Sequence, residues 1–222
     1  IIGASAGDAL DGGDDNVLIG LGAGGATTAT SHTVIIGAGA GAANITTAGS
    51  GSVFIGHDAG AAITSGASNV AIGDSALKAE DDGDYCVAIG HGALTAQAGT
   101  TGVVGNTAVG YGVLEKATTV TETTAIGYKA LQWNNGTAGV NANVAVGTGA
   151  GQFVTTACSG TFIGHGAGEG SFGAKTTGAN NTCIGSSAGN QIQGAANANV
   201  CIGATAGDAI TTGVGNVIIG NA

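Results

Sequence analysis

Apolar and small residues recur along this chain on a fixed beat. A β-branched residue, a variable residue and then Ile or Val run into a Gly. Ala follows that Gly three residues on in eleven of twelve copies, Val113 being the exception. The repeat Gly falls at 3, 20, 37, 56, 73, 90, 110, 127, 147, 164, 185, 203 and 220, so successive copies stand 17 to 21 residues apart. The closing pairs of the phrase include Ile19-Gly20, Ile36-Gly37, Ile72-Gly73, Val109-Gly110, Ile126-Gly127, Val146-Gly147 and Ile202-Gly203. A constant period of this size predicts stacked coils rather than one central core. The expected fold is all-β: a parallel β-solenoid or β-roll of about thirteen coils, forming a single repeat domain over residues 1–222.

The three residues before the Gly are called here lead, middle and anchor. Lead is Val or Thr in all twelve copies that reach that far, and anchor is Ile or Val in all thirteen. Lead and anchor lie two apart and share one face of a strand. Their β-branched character suits a pleated surface, so these two columns are expected to form the solenoid core. The middle position faces the other way and is apolar throughout: Leu18, Ile35 and Phe54, then Ala71, Ala88, Ala108, Ala125 and Ala145, then Phe162, Cys183, Cys201 and Ile218. It is expected to meet sister chains. The residue before the lead is Asn seven times, as in Asn16, Asn69 and Asn143. Asn there predicts a corner with left-handed backbone, and stacked Asn side chains can bond along the axis. The fourth residue after the Gly is Gly in eight copies but Leu77, Leu94, Leu114 and Leu131 in four consecutive ones. The spacers beyond vary in length and are polar, as surface loops are.

Composition narrows the picture. Gly numbers 46 and Pro is absent, yet 43% of residues are hydrophobic, which excludes both collagen and a disordered low-complexity chain. The net charge of −10 with four basic residues opposes nucleic-acid partners and anionic membranes. No apolar run is long enough to insert in a bilayer. The phrase is cut at both Ile1 and Gly220, which suggests a segment of a longer or processed chain. One coil offers few large side chains against its backbone entropy, so self-association is expected to complete its stability.

The coils Asn106-Thr-Ala-Val-Gly-Tyr-Gly-Val-Leu114 and Thr123-Thr-Ala-Ile-Gly-Tyr-Lys-Ala-Leu131 resemble the "NTAIGYxAL" repeats of bacteriophage tail-fibre proteins. Asn69-Val-Ala-Ile-Gly-Asp-Ser-Ala76 also resembles the "SVAIGxxA" repeat in the heads of trimeric autotransporter adhesins. The resemblance spans nearly the whole chain. It implies a β-roll, left-handed in the adhesins, assembled as a homotrimer on a virion fibre or a cell surface. The coils here are longer than the usual adhesin repeat, and most carry Ala-Gly where the phage phrase has Ala-Leu.

Candidate chemistry is sparse. His57 and His91 directly follow their repeat glycines, and Asp74 holds that place in the intervening coil, so stacking brings the three near one another as a candidate metal site. Ala4, Leu21, Tyr111, Tyr128, Thr148 and Ser186 fill the same slot elsewhere, which favours a variable surface column. Two acidic loops, Asp11, Asp14 and Asp15 and then Glu80, Asp81, Asp82 and Asp84, offer oxygens of the kind calcium takes, but without EF-hand or nonapeptide spacing. Cys86, Cys158, Cys183 and Cys201 form no Cys-x-x-Cys pair and read as small hydrophobes; Cys183 and Cys201 share the middle position of adjacent coils. Gly20-Leu-Gly-Ala-Gly-Gly25 resembles a phosphate loop, but the next strand arrives too soon for a dinucleotide-binding helix. Trp133 and Tyr128 with Asn134 and Asn135 offer a carbohydrate-stacking patch.

The functional expectation is a structural fibre or adhesion protein, foremost a trimeric phage tail-fibre shaft or receptor-contacting segment, with a bacterial adhesin head as the alternative. Self is the expected partner, with a surface glycan or protein receptor beside it; the place is a virion or the cell exterior. No catalytic residue or cofactor is assigned. A polysaccharide-acting enzyme would need clustered acids in a cleft. An ice-binding solenoid would need Thr pairs in register, whereas Thr27, Thr46, Thr100, Thr155 and Thr176 scatter relative to their glycines.

Overall fold

The computed structural model describes residues 1–98, 102–136 and 141–221; Thr100 lies outside them. Three-residue strands form on the lead, middle and anchor positions of twelve copies. They are β1 (Val17–Ile19), β2 (Val34–Ile36), β3 (Val53–Ile55), β4 (Val70–Ile72), β6 (Val87–Ile89), β8 (Thr107–Val109), β9 (Thr124–Ile126), β10 (Val144–Val146), β11 (Thr161–Ile163), β12 (Thr182–Ile184), β13 (Val200–Ile202) and β14 (Val217–Ile219). A short side pair, β5 (Gly83–Asp84) with β7 (Gly102–Val103), links two loops. Among the described residues the one helix is a 3-10 turn, Thr47–Gly49.

The chain divides into two compact units, Ile1–Val109 and Gly110–Ala222. Each is a stack of the same coil. In the first, β1, β2, β3, β4, β6 and β8 pair in that order, all parallel. In the second, β9 through β14 do the same. Register is fixed by the phrase: lead meets lead, middle meets middle and anchor meets anchor, as in Val70↔Val87, Ala71↔Ala88 and Ile72↔Ile89. The turns after each Gly also ladder from coil to coil, with Gly22 N donating to Ala4 O at 2.9 Å and Gly39 N to Leu21 O at 3.0 Å. This is a β-solenoid without α-helices among the described residues, as the period predicts.

The faces are the reverse of the expectation. The middle column points inward and is fully buried from Leu18 to Cys201, while Val17 is 42% and Ile126 40% exposed. The lead and anchor columns therefore form the outer surface of the sheet. The reason is steric. A coil of about 17 residues encloses a thin interior, and a three-residue strand turns one side chain in and two out. The buried Asn of the corner sets the phase, because it and the middle residue lie two apart on the same face.

Interior volume is balanced within and between neighbouring coils. Where the middle residue is large, the fourth residue after the Gly is Gly: a Cβ at Gly60 would sit 2.7 Å from the Phe54 ring, and one at Gly41 would sit 2.9 Å from Ile35. Where the middle residue shrinks to Ala71 or Ala88, that place holds the buried Leu77 or Leu94. Ala145 and Gly151 are both small, and here Leu131 and Phe162 from adjoining coils reach the Gly, at 2.9 and 3.1 Å from where its Cβ would be. Close packing of this kind leaves no room for independent choice at either position.

Two backbone conformations make the coil possible. The repeat Gly has φ near +130° in coil after coil, as at Gly20 and Gly73, and its missing Cβ is where the next coil's backbone passes. A Cβ at Gly20 would lie 2.6 Å from Gly37 O, and one at Gly73 would lie 2.6 Å from Gly90 O. The corner is left-handed, but one residue earlier than expected: Asp15, Ser68 and Tyr85 carry φ of 59°, 57° and 60°. The Asn that follows acts through its side chain instead. Asn69 Nδ2 donates to Gly83 O at 2.7 Å and its Oδ1 accepts from Cys86 N at 2.8 Å, tying its corner to the next coil. Asn143 repeats this with Ala157 O and Gly160 N. The expected axial Asn bonds occur where Asn residues are consecutive, with Asn199 Nδ2 donating to Asn181 Oδ1 at 3.0 Å and Asn216 Nδ2 to Asn199 Oδ1 at 2.8 Å.

Replacing Gly73 by Ala should destabilise the protein by about 3 kcal/mol, from backbone strain and overpacking together. Gly12→Ala, where nothing lies within 4 Å of the added Cβ, should be near neutral in the same denaturant titration. Phe54→Ala should cost about 3–5 kcal/mol. Adding Gly60→Leu should recover part of that loss, because Leu77 and Leu94 already adopt φ near +50° at this place. Gly60→Leu alone should destabilise, and the double-mutant cycle measures the coupling.

Candidate functional site

The outer face of each unit is the most extensive site-like feature. Its lead and anchor columns contain only Val, Ile and Thr, with no charged residue. In-register stacking spaces them about 4.8 Å apart along the axis. The result is a continuous β-branched surface, half-exposed where a soluble surface usually carries charge. Its columns bring no charged or convergent polar groups together among the described residues, so what it can do chemically is bury itself against a matching surface. The candidate repeat residues Ile19, Ile36, Ile72, Val109, Ile126, Val146 and Ile202 all lie on it. Their partner glycines supply the close approach of successive coils.

Directly after the anchor and Gly comes the column holding His57, Asp74 and His91. The structure brings these three into a row. His57 Nδ1 lies 3.3 Å from one oxygen of Asp74, and His91 Nε2 lies 3.7 Å from the other. Ser75 Oγ donates to Asp74 at 3.0 Å. Asp58 lies 3.8 Å from His57 Nε2 and 2.8 Å from Lys78 Nζ. The hydrogen bond from Lys78 holds the Asp58 carboxyl below the ordinary range. The imidazoles flank the carboxylate instead of converging with it, and among the described residues no three His, Cys, Asp or Glu side chains are disposed to hold a metal ion. An exposed charge row of this kind adds little to stability.

In the second unit the same column carries Tyr111 and Tyr128, stacked with centroids 5.4 Å apart and planes 11° apart. Lys129 Nζ stands 5.2 Å from the Tyr128 ring. The expected patch of Trp133 with Tyr128, Asn134 and Asn135 is not assembled. Tyr128 is taken by Tyr111. Asn134 is buried, with Nδ2 donating to Thr155 O at 3.2 Å. Asn135 Oδ1 accepts from the backbone N and the hydroxyl of Thr118. Trp133 instead packs edge-on against Phe172, 5.3 Å away, a partner that sequence spacing could not reveal. Beside it runs a polar ladder: Gln152 Nε2 donates to Gln132 at 2.9 Å, and Gln132 Nε2 to Glu115 at 2.6 Å. Desolvation opposes ionisation of Glu115, but hydrogen bonds from Lys116 and Gln132 outweigh it and lower its pKa.

The acidic loop at 80–84 is occupied with internal bonds. Glu80 Oε1 accepts from Asp81 N and Gly83 N, both at 3.0 Å. Asp82 accepts from Ser65 Oγ at 2.8 Å, and Asp84 from Ala67 N at 2.7 Å. In the other loop, Asp15 lies 3.8 Å from His32. Gly20 to Gly25 leads through a turn into the next coil, with no helix behind it. All four cysteines are free thiols. Cys183 and Cys201 are partners on adjacent strands in the buried middle column. Desolvation pushes the Cys86 thiol up to about 12 and also raises Cys183 and Cys201. No helix among the described residues is long and apolar enough to cross a membrane.

Comparisons with family models, curated proteins and solved structures return no match.

Thiol chemistry should follow burial, since the thiolate is the reactive form. Iodoacetamide at mildly alkaline pH should label Cys158 in the folded protein, and all four cysteines only after denaturation, as read by mass spectrometry. The raised Cys86 pKa makes a signed prediction as well. Its stabilising contribution is fully present below the free thiol value of 9.0 and is lost as pH rises through about 12. Cys86→Ala should flatten that alkaline decline in a pH series of urea titrations.

Proposed function

We propose that this chain is a structural fibre or adhesion segment that assembles as a homotrimer through the outer faces of its coils, most closely in the manner of a bacteriophage tail-fibre shaft. The observation that carries the reading is the uncharged, half-exposed, β-branched outer face built by the lead and anchor columns. Such a face left in water is an association surface. A thin coil with one inward column per strand gains from burying the other two. The wording Asn106-Thr-Ala-Val-Gly-Tyr supports a phage fibre over an adhesin head. The trimeric count and a left-handed coil come from that resemblance. A net charge of −10 keeps the remaining surface hydrated and directs the chain away from nucleic acid.

Native mass spectrometry and sedimentation of the chain should give three times the 20.6 kDa chain mass. Ile72→Lys with Ile89→Lys should shift the species to monomer, because an unpaired ammonium in an apolar interface costs several kcal/mol. A wild-type chain that stays monomeric at micromolar concentration removes the trimer. If that monomer also arrests ice growth, the face belongs to ice instead.

A further inference from the structure

One coil departs from the repeat in a way the stack does not need. The step from Gly164 to Gly185 is the longest in the chain, 21 residues against the usual 17. The ladder is kept up to Gly170, whose N donates to Asn190 O at 3.0 Å, and resumes at Lys175, whose carbonyl accepts from Gly194 N at 3.0 Å, and at Thr176, whose N donates to Phe153 O at 3.2 Å. Between them, Ser171 to Ala174 turn back on themselves in an antiparallel bridge. These four residues account for the extra length, and they carry Phe172.

The excursion sets Phe172 over an aromatic surface. Its ring meets Trp133 at 5.3 Å and 78°, and Phe153 at 6.1 Å and 83°. An insertion made for packing would bury its large side chain, yet Phe172 remains 64% exposed. Lys175 Nζ stands 4.8 Å from the Trp133 centroid and 5.6 Å from that of Phe172. Of the four lysines, Lys78 and Lys116 are paired with carboxylates. Lys175 has no carboxylate partner among the described residues, in a chain of net charge −10. A half-buried aromatic pair, Trp133 and Phe153, capped by the exposed Phe172 ring beside an uncompensated cation, is complementary to a ligand with one apolar face and one negative group.

We propose that Trp133, Phe153, Phe172 and Lys175 form a binding site for a carboxylate-bearing saccharide, a hexuronic or sialic acid unit. The C–H face of the pyranose lies on the Phe172 ring, and its carboxylate takes the Lys175 ammonium. A carboxylate gives that ammonium a charge-assisted hydrogen bond, which the aromatic rings alone do not. The site rests on the receptor-contacting part of the function proposed above and is independent of how the chains assemble.

Trp133 is the one tryptophan of the chain, so its emission reports on this site alone. The full chain is titrated with oligogalacturonate, with sialyllactose, and with the neutral counterparts of each. The expected result is a saturable change in Trp133 emission with at least one acidic sugar, and the arm that responds identifies its class. Lys175→Gln should weaken acidic binding by roughly tenfold and leave any neutral binding unchanged. Phe172→Ala should abolish the response, with thermal melting confirming that the stack persists. Silence toward both acidic sugars at millimolar concentration overturns the proposal. So do equal affinity for the neutral counterparts, or wild-type affinity in both variants. Chain mass is measured on the same samples: a monomer that binds defeats the trimer alone, and a trimer that stays silent defeats the saccharide site alone.

Discussion

Successive coils approach so closely at the repeat Gly that the next coil's carbonyl occupies the space a side chain would need. At Gly127 the absent Cβ would lie 2.5 Å from Gly147 O. This contact fixes the register. Once one Gly sits on the next, lead must meet lead and middle must meet middle, because a slip of one residue would put a side chain into that gap and turn every strand inside out. In-register strands also keep the middle residue opposite the fourth residue after the Gly, across an interior narrow enough for Phe54 to reach the Gly60 position. The exchange of Phe54 with Gly60 for Ala71 with Leu77 follows from that width. Volume removed from one wall must return from the other within the same stack of coils.

The same constraint decides what faces outward. With one inward side chain per strand, the two β-branched columns have nowhere to go but the surface, and their stiffness at χ1 gives that surface a regular relief. Hydrogen bonds do the work at the corner that apolar packing does in the interior. Buried Asn69 and Asn143 each satisfy a carbonyl and an N–H that the bend would otherwise strand. Ser52 stands where Asn is missing, its hydroxyl accepting from Asn69 N at 3.1 Å. The coil is thus held by a glycine contact on one side and an amide clamp on the other.

Much of this was legible in the sequence. Period, strand positions and parallel register all follow from the spacing of Val17-Leu18-Ile19-Gly20 and its copies. Which face is inside is decided by volume and not by the β-branched character of the lead and anchor columns. The informative signal was the size exchange between the middle residue and the fourth residue after the Gly. The left-handed residue stands one place before the Asn, and no residue type marks it, since Asp15, Ser68 and Tyr85 all occupy it. The row of His57, Asp74 and His91 follows from equal positions in adjacent coils. The pairing of Trp133 with Phe172 does not, because these residues occupy different positions in their coils and meet only through a departure from the period.

That departure has a wider consequence. A chain that leaves its ladder after Gly170 and rejoins it at Lys175 and Thr176 does so without disturbing the coils on either side. The loop corner therefore acts as a splice point, where new sequence can be added while the scaffold keeps its pitch. Diversity in such a molecule can accumulate at one edge, coil by coil, on a frame that stays the same.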